Sequence, residues 1–142
     1  MSYTERFTEA WALLGSIDPA SHSTEQNTGY LSCANYHRVV VLIHCGVIGG
    51  DLDIDVEESV NTDGDDPASF DAGGKDVTKT GTTDNDTVSA IEIKGDEFDV
   101  DNARDCLNIE VTPGAAGIFG VQVWGLADYK PVPTTNLDSV TD

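Results

Sequence analysis

A chain of 142 residues with 39% hydrophobic residues and a formal net charge of −19 is sized for one domain whose single core buries roughly two-thirds of the unfolded surface. It is too apolar to be a disordered acidic tail. Seven Lys and Arg against 26 Asp and Glu exclude nucleic acid and anionic membranes as partners, because both are bound by displacing counterions with basic side chains.

The acid excess is concentrated. Between Asp51 and Asp105 there are 18 acidic residues and four basic ones, Lys75, Lys79, Lys94 and Arg104. Such a surface suits salt-rich water, cation binding, or solubility at very high local density. The opening stretch, MSYTERFTEAWALLG, lacks a basic segment followed by an apolar run, so synthesis in a reducing cytosol with three free cysteines is the expectation.

In chain order, residues 5–14 set Phe7, Trp11 and Leu14 at i, i+4 and i+7, which predicts a short amphipathic helix or a docking arm. Residues 15–25 have the composition of a loop. Residues 27–33 predict a short strand, and 36–46, YHRVVVLIHCG, a long one rich in β-branched residues. Residues 51–60 alternate strictly, with Leu52, Ile54 and Val56 on one face and Asp51, Asp53, Asp55 and Glu57 on the other, the pattern of a half-buried antiparallel strand. An acidic, Gly-rich loop over 61–74 precedes a short polar edge strand at 75–80. Further strands are predicted at 86–94, at 104–112 (Leu107, Ile109 and Val111 inward) and at 117–127. The last is apolar on both faces, which predicts a central position with Trp124 in the core. A Pro-containing tail closes the chain.

These elements predict an all-β fold: a single antiparallel β-sandwich, jelly-roll-like, with a short N-terminal helix or arm. The expected division is an arm or short helix plus loop over 1–26, the sandwich over 27–130 and a tail over 131–142.

Cys33, His37, His44, Cys45 and Cys106 form the one set with metal-ligating or nucleophilic character. Zinc needs four converging ligands. Strand parity puts His37, Val39, Val41, Ile43 and Cys45 on one face and Arg38, Val40, Leu42 and His44 on the other, so His44 and Cys45 cannot share an ion. Cys33 and His37 together supply only two ligands. A Cys–His nucleophile would need an orienting group and an oxyanion hole, and no motif marks either. Both carboxylate-rich stretches fail the EF-hand spacing, with Val56 or Asp66 where the loop requires glycine. Asp63, Asp65 and Asp66 leave a weak, nonspecific cation site as the only metal alternative. No enzyme activity and no cofactor are expected.

The ordered set NTGY, NYHRVVVLIHCGVIGGDLDIDVEES, KDVTKT, DTVSAIEIKGDEFDVDNARDCLNIEVTPGAAG and VWGLADYKP resembles a group of small head proteins of tailed bacteriophages. In these, a strand opening on Tyr/His/Arg runs through a Gly-rich turn into an alternating strand, and the chain closes on Tyr-x-Pro. The resemblance covers about residues 27–133 and is weakest in the N-terminal region and the acidic loop. It implies a capsid decoration, or cement, protein: β-rich, non-enzymatic and bound as an oligomer to the outside of the shell. The implied partners are the major capsid protein and further copies of the chain, as a dimer or trimer. The implied location is the virion exterior, after synthesis in the host cytoplasm. Candidate contact residues are Phe7, Trp11 and Leu14 in the arm and Tyr129, Pro131 and Pro133 in the C-terminal segment. The competing expectation is a β-sandwich binding module for carbohydrate or a divalent cation.

Overall fold

The computed structural model describes residues 6–127 and 136–139. One helical turn, α1 (Phe7–Ala10), leads into strands β1 (Trp11–His22), β2 (Gln26–Asn27), β3 (Leu31–Ser32), β4 (Tyr36–Ile48), β5 (Leu52–Ser59), β6 (Ala68–Ser69), β7 (Val77–Lys79), β8 (Thr87–Lys94), β9 (Cys106–Pro113) and β10 (Gly117–Ala127). They form two sheets in which every pairing is antiparallel. One has the order β1-β10-β4-β8. In the other, β9 and β5 are central, with β2 and β3 on the free side of β9 and β6 and β7 on the free side of β5.

Taking β2 with β3 and β6 with β7 as two interrupted strands gives eight strands in the orders 1-8-3-6 and 2-7-4-5. That is the jelly roll: two Greek keys folded into a sandwich, the chain changing sheet at nearly every connection. The strand order alone carries this assignment.

The core lies between the sheets and follows the alternation in the sequence. Val39, Val41 and Ile43 of β4, Ile91 and Ile93 of β8 and Val121 and Val123 of β10 meet Leu52, Ile54 and Val56 of β5 and Leu107, Ile109 and Val111 of β9. Each such side chain contributes about 1.5–3 kcal/mol on full burial. β10 is central, as its composition predicts, between β1 and β4.

Four expectations change. The helix predicted over 5–14 survives only as the turn Phe7–Ala10, and the loop predicted over 15–25 is mostly strand, because Trp11–His22 pairs along β10. The helical spacing of Phe7, Trp11 and Leu14 is satisfied here by other means. A helix of that length gains little in water, whereas pairing along β10 covers an edge of backbone donors and acceptors. A register shift between Leu13 and Gly15 then lets β1 bury Ala12 and Ile17 while Leu14 packs against the core. The single strand predicted at 27–33 is two short pieces, β2 and β3. Lastly, the acidic loop is not wholly solvated. Phe70 is fully buried and meets Phe98 edge-to-face at 5.1 Å between ring centroids, closing one end of the sandwich.

Candidate functional site

Outward side chains differ sharply between the sheets. On the β1-β10-β4-β8 sheet the cross-strand register sets Trp11, Leu126, Arg38 and Lys94 in one row. Leu13, Trp124, Val40 and Glu92 form the next, and Ser16, Gln122, Leu42 and Ala90 the third. Phe7 caps this surface, stacked on Trp11 at 6.0 Å and edge-on to Trp124 at 4.9 Å. A shallow depression of about 200 Å³ lies among Phe7, Trp11, Val40, Leu42 and Trp124. Phe7 is 55% exposed and Val88, beside His44, is 60% exposed. The strand charges nearly cancel: Arg38 and Lys94 lie opposite each other, Glu92 stands one row along opposite Val40, and Asp18 lines a groove alongside with His44.

On the other sheet, Asp53, Asp55 and Glu57 of β5 stand opposite Thr112, Glu110 and Asn108 of β9. No Lys or Arg joins them on these strand faces among the described residues. Burial, then the neighbouring carboxylates Asp76, Asp53 and Glu57, holds Asp55 above its ordinary value. Burial, then Glu25, Glu57 and Asp55, does the same for Glu110. Glu57 is fixed by the Tyr30 hydroxyl, which donates to it at 2.8 Å, and by Asn108 Nδ2 at 3.1 Å. Burial and this bond push the Tyr30 phenol up to about 12.

The predicted site residues separate accordingly. Phe7 and Trp11 share the apolar face, and Leu14 turns toward the core. Tyr129, Pro131 and Pro133 lie outside the described residues. Trp124, predicted to be core, is half-buried on the outer face. Its indole N–H donates to Gln122 Oε1 at 3.0 Å. Val40 and Leu42 are likewise on the outer face, so the long strand is not buried on both sides. This placement was readable in the sequence, because both share parity with Arg38 and His44.

The acidic loop does not bring three carboxylates together. Asp65 accepts from Asn61 Nδ2 at 2.8 Å, and Asp66 is paired with Arg104 at 2.8 Å while Asp63 is exposed. Among the described residues no group of three or more His, Cys, Asp and Glu side chains is placed to hold a metal ion. His44 and Cys45 do point to opposite faces, His44 exposed and Cys45 buried. Cys33, Cys45 and Cys106 are free, buried thiols. Burial pushes Cys33 up to about 12 and Cys106 up to about 11, and raises Cys45 as well, so they hold little thiolate near neutrality.

An opening of about 730 Å³ forms a cleft at the end of the sandwich, and its lining includes His37, Arg38, Lys94, Arg104, Asp96 and Asp105. Arg104 is already bonded there to Asp66 and Asp99, both at 2.8 Å.

No protein-family model matches the chain, and no curated protein matches its sequence. Among solved structures it is similar to a chain of the cowpea mosaic virus empty virus-like particle (TM-score 0.45, 9% identity, covering 99% of this chain and 94% of that chain). It is also similar to the coat protein of tobacco streak virus in its dimer structure (TM-score 0.47, 10% identity, 99% and 100% covered). A third likeness is to a chain of Triatoma virus (TM-score 0.46, 14% identity, 94% and 72% covered).

Proposed function

We propose that the chain is a structural virion protein that binds the outer surface of a phage capsid as an oligomer and stabilises the shell, as a decoration or cement protein does. The observation that carries this reading is the opposition of the two sheet faces. One is apolar, aromatic and close to charge-neutral, and the other is a continuous field of carboxylates. A protein built this way works through surfaces. It buries the first against protein and turns the second to water, where like charge keeps particles apart and away from released DNA. The jelly roll hosts many functions, and its rigid, closed core suits a platform repeated over a lattice. Binding only the assembled shell stabilises it by mass action, and repetition at symmetry-related positions multiplies a modest energy per copy. The partner in this reading is the major capsid protein.

The test compares heads prepared with and without the protein. Co-sedimentation with particles and a higher temperature of DNA release are the expected results. A chain that neither co-sediments nor shifts release sinks the reading.

The carbohydrate alternative gains one observation, the outward Trp11–Phe7–Trp124 group, since aromatic faces can stack on sugar rings. Dose-dependent glycan binding that is abolished by Trp124→Ala would favour it.

A further inference from the structure

We propose that the outer face of the β1-β10-β4-β8 sheet is a self-association interface, against which a second copy of the chain packs its own equivalent face. This rests on the reading of the chain as an oligomeric surface protein and assigns the surface that makes the oligomer.

Three features of the face point to a second copy. The first is charge. Two molecules that each carry −19 repel wherever carboxylates meet. The β5–β9 face sets Asp53, Asp55, Glu57 and Glu110 against any identical neighbour. On the β1-β10-β4-β8 face Arg38 and Lys94 balance Glu92 and Asp18, so two such faces meet without net repulsion. Arg38 and Lys94 also sit at one end of the face, where an isologous arrangement can bring them toward acidic groups of the other copy.

The second is composition. Trp11, Trp124, Phe7, Val40 and Leu42 form a charge-depleted, aromatic centre with the charged residues at its border. That is the pattern of homodimer interfaces more than of transient ones, which are no more apolar than ordinary surface.

The third is area. Four strands about 4.8 Å apart, paired over about eight residues of roughly 3.3 Å each, present about 500 Å² in projection. Corrugation by the aromatic side chains enlarges the accessible surface toward the ~800 Å² per partner that a stable interface needs. Sheets packed face to face, as in the interior of a sandwich, sit about 10 Å apart.

The experiment is sedimentation velocity on the full chain over about 1–100 µM, the range in which interfaces of this size associate, at low and high salt. The expected result is a species of twice 15.1 kDa that tightens as salt rises, because salt screens the residual like-charge repulsion. Trp124→Glu should weaken the dimer by about 100-fold or more, as loss of a central aromatic anchor does. Val88→Glu, at a 60% exposed position, should weaken it with the far-ultraviolet circular dichroism unchanged, which guards against reading misfolding as dissociation.

A monomer at every concentration and salt, or a dimer indifferent to both substitutions, overturns the proposal. If the chain is monomeric and the substitutions abolish head binding instead, the face belongs to the shell. The self-association proposal then fails while the virion reading stands. A dimer that never binds heads keeps this proposal and removes the other.

Discussion

Phe70, Cys33 and Asp55 each show how a local environment sets the behaviour of one residue. Phe70 lies in a stretch of 14 residues, 61–74, that carries four aspartates and three glycines, yet it is fully buried against Phe98. Phe70→Ala should cost about 3–5 kcal/mol in denaturant unfolding, the range for deleting a buried aromatic ring. The thiols of Cys33 and Cys106, pushed by burial to about 12 and about 11, should react with a thiol reagent at neutral pH only as fast as the chain unfolds. Rapid labelling of the native protein would contradict that burial.

Asp55 and Glu110 are held above their ordinary 3.8 and 4.5, chiefly by burial and then by neighbouring carboxylates, Asp76 first for Asp55 and Glu25 first for Glu110. The folded state therefore binds these protons more tightly than the unfolded chain does. Their contribution is fully present below the ordinary values and is lost as pH rises through the raised ones. Glu97 and Asp99 are held low, by the Lys94 backbone N–H and by the Asn102 side chain respectively before other groups. Their contribution has the opposite sign and is lost as pH falls through their folded values. Melting temperature should accordingly rise as pH falls from 7 into the ordinary carboxylate range, and turn over once pH falls through the lowered values of Glu97 and Asp99. Asp55→Asn should raise it at pH 7 and flatten the rise.

At the level of elements, alternation told most of the fold. The inward sets of β5 and β9 are those that period-two counting gives, because a strand with one wet face writes its orientation into every second residue, whereas β4 and β8 carry apolar residues at both parities. β1 escaped because Phe7, Trp11 and Leu14 satisfy a helical period, and the register shift at Leu14 breaks the strand period at the point where it would have been counted. Only the unpaired edge of β10, a long-range fact, decides between them. β10 itself was half legible. Its central place followed from its apolar composition, but that same composition, apolar on both faces, misplaced Trp124 in the core. Gly125 is small because a Cβ there would lie 2.5 Å from the Tyr36 ring, so close inward packing at Gly125 coexists with an outward Trp124. Removing residues 1–22 strips β10 of one of its two partners and exposes the core beside Ile17. The truncated chain should lose its cooperative unfolding transition and aggregate, as judged by thermal melts and light scattering. A soluble truncation with an unchanged melting temperature would show β1 to be dispensable.

For the molecule as a whole, composition announced a strongly acidic surface but not its arrangement. A count of 26 carboxylates against seven cations says nothing of which sheet holds them. That depends on folding β5 and β9 side by side and on clustering Trp11, Trp124 and Phe7 on the opposite side of the sandwich. Of the Cys and His residues that drew notice in the sequence, His44 and Cys45 are separated by strand parity, while Cys33, a buried thiol close to Cys106, lines the end cleft with His37.

The most direct test of the virion reading is electron cryo-microscopy of heads assembled with and without the chain. The account predicts added density the size of one sandwich per copy at symmetry-related positions on the outer surface, with the β5–β9 carboxylate face turned to solvent. Heads with identical exteriors, from preparations in which the chain is present but never retained, would contradict it.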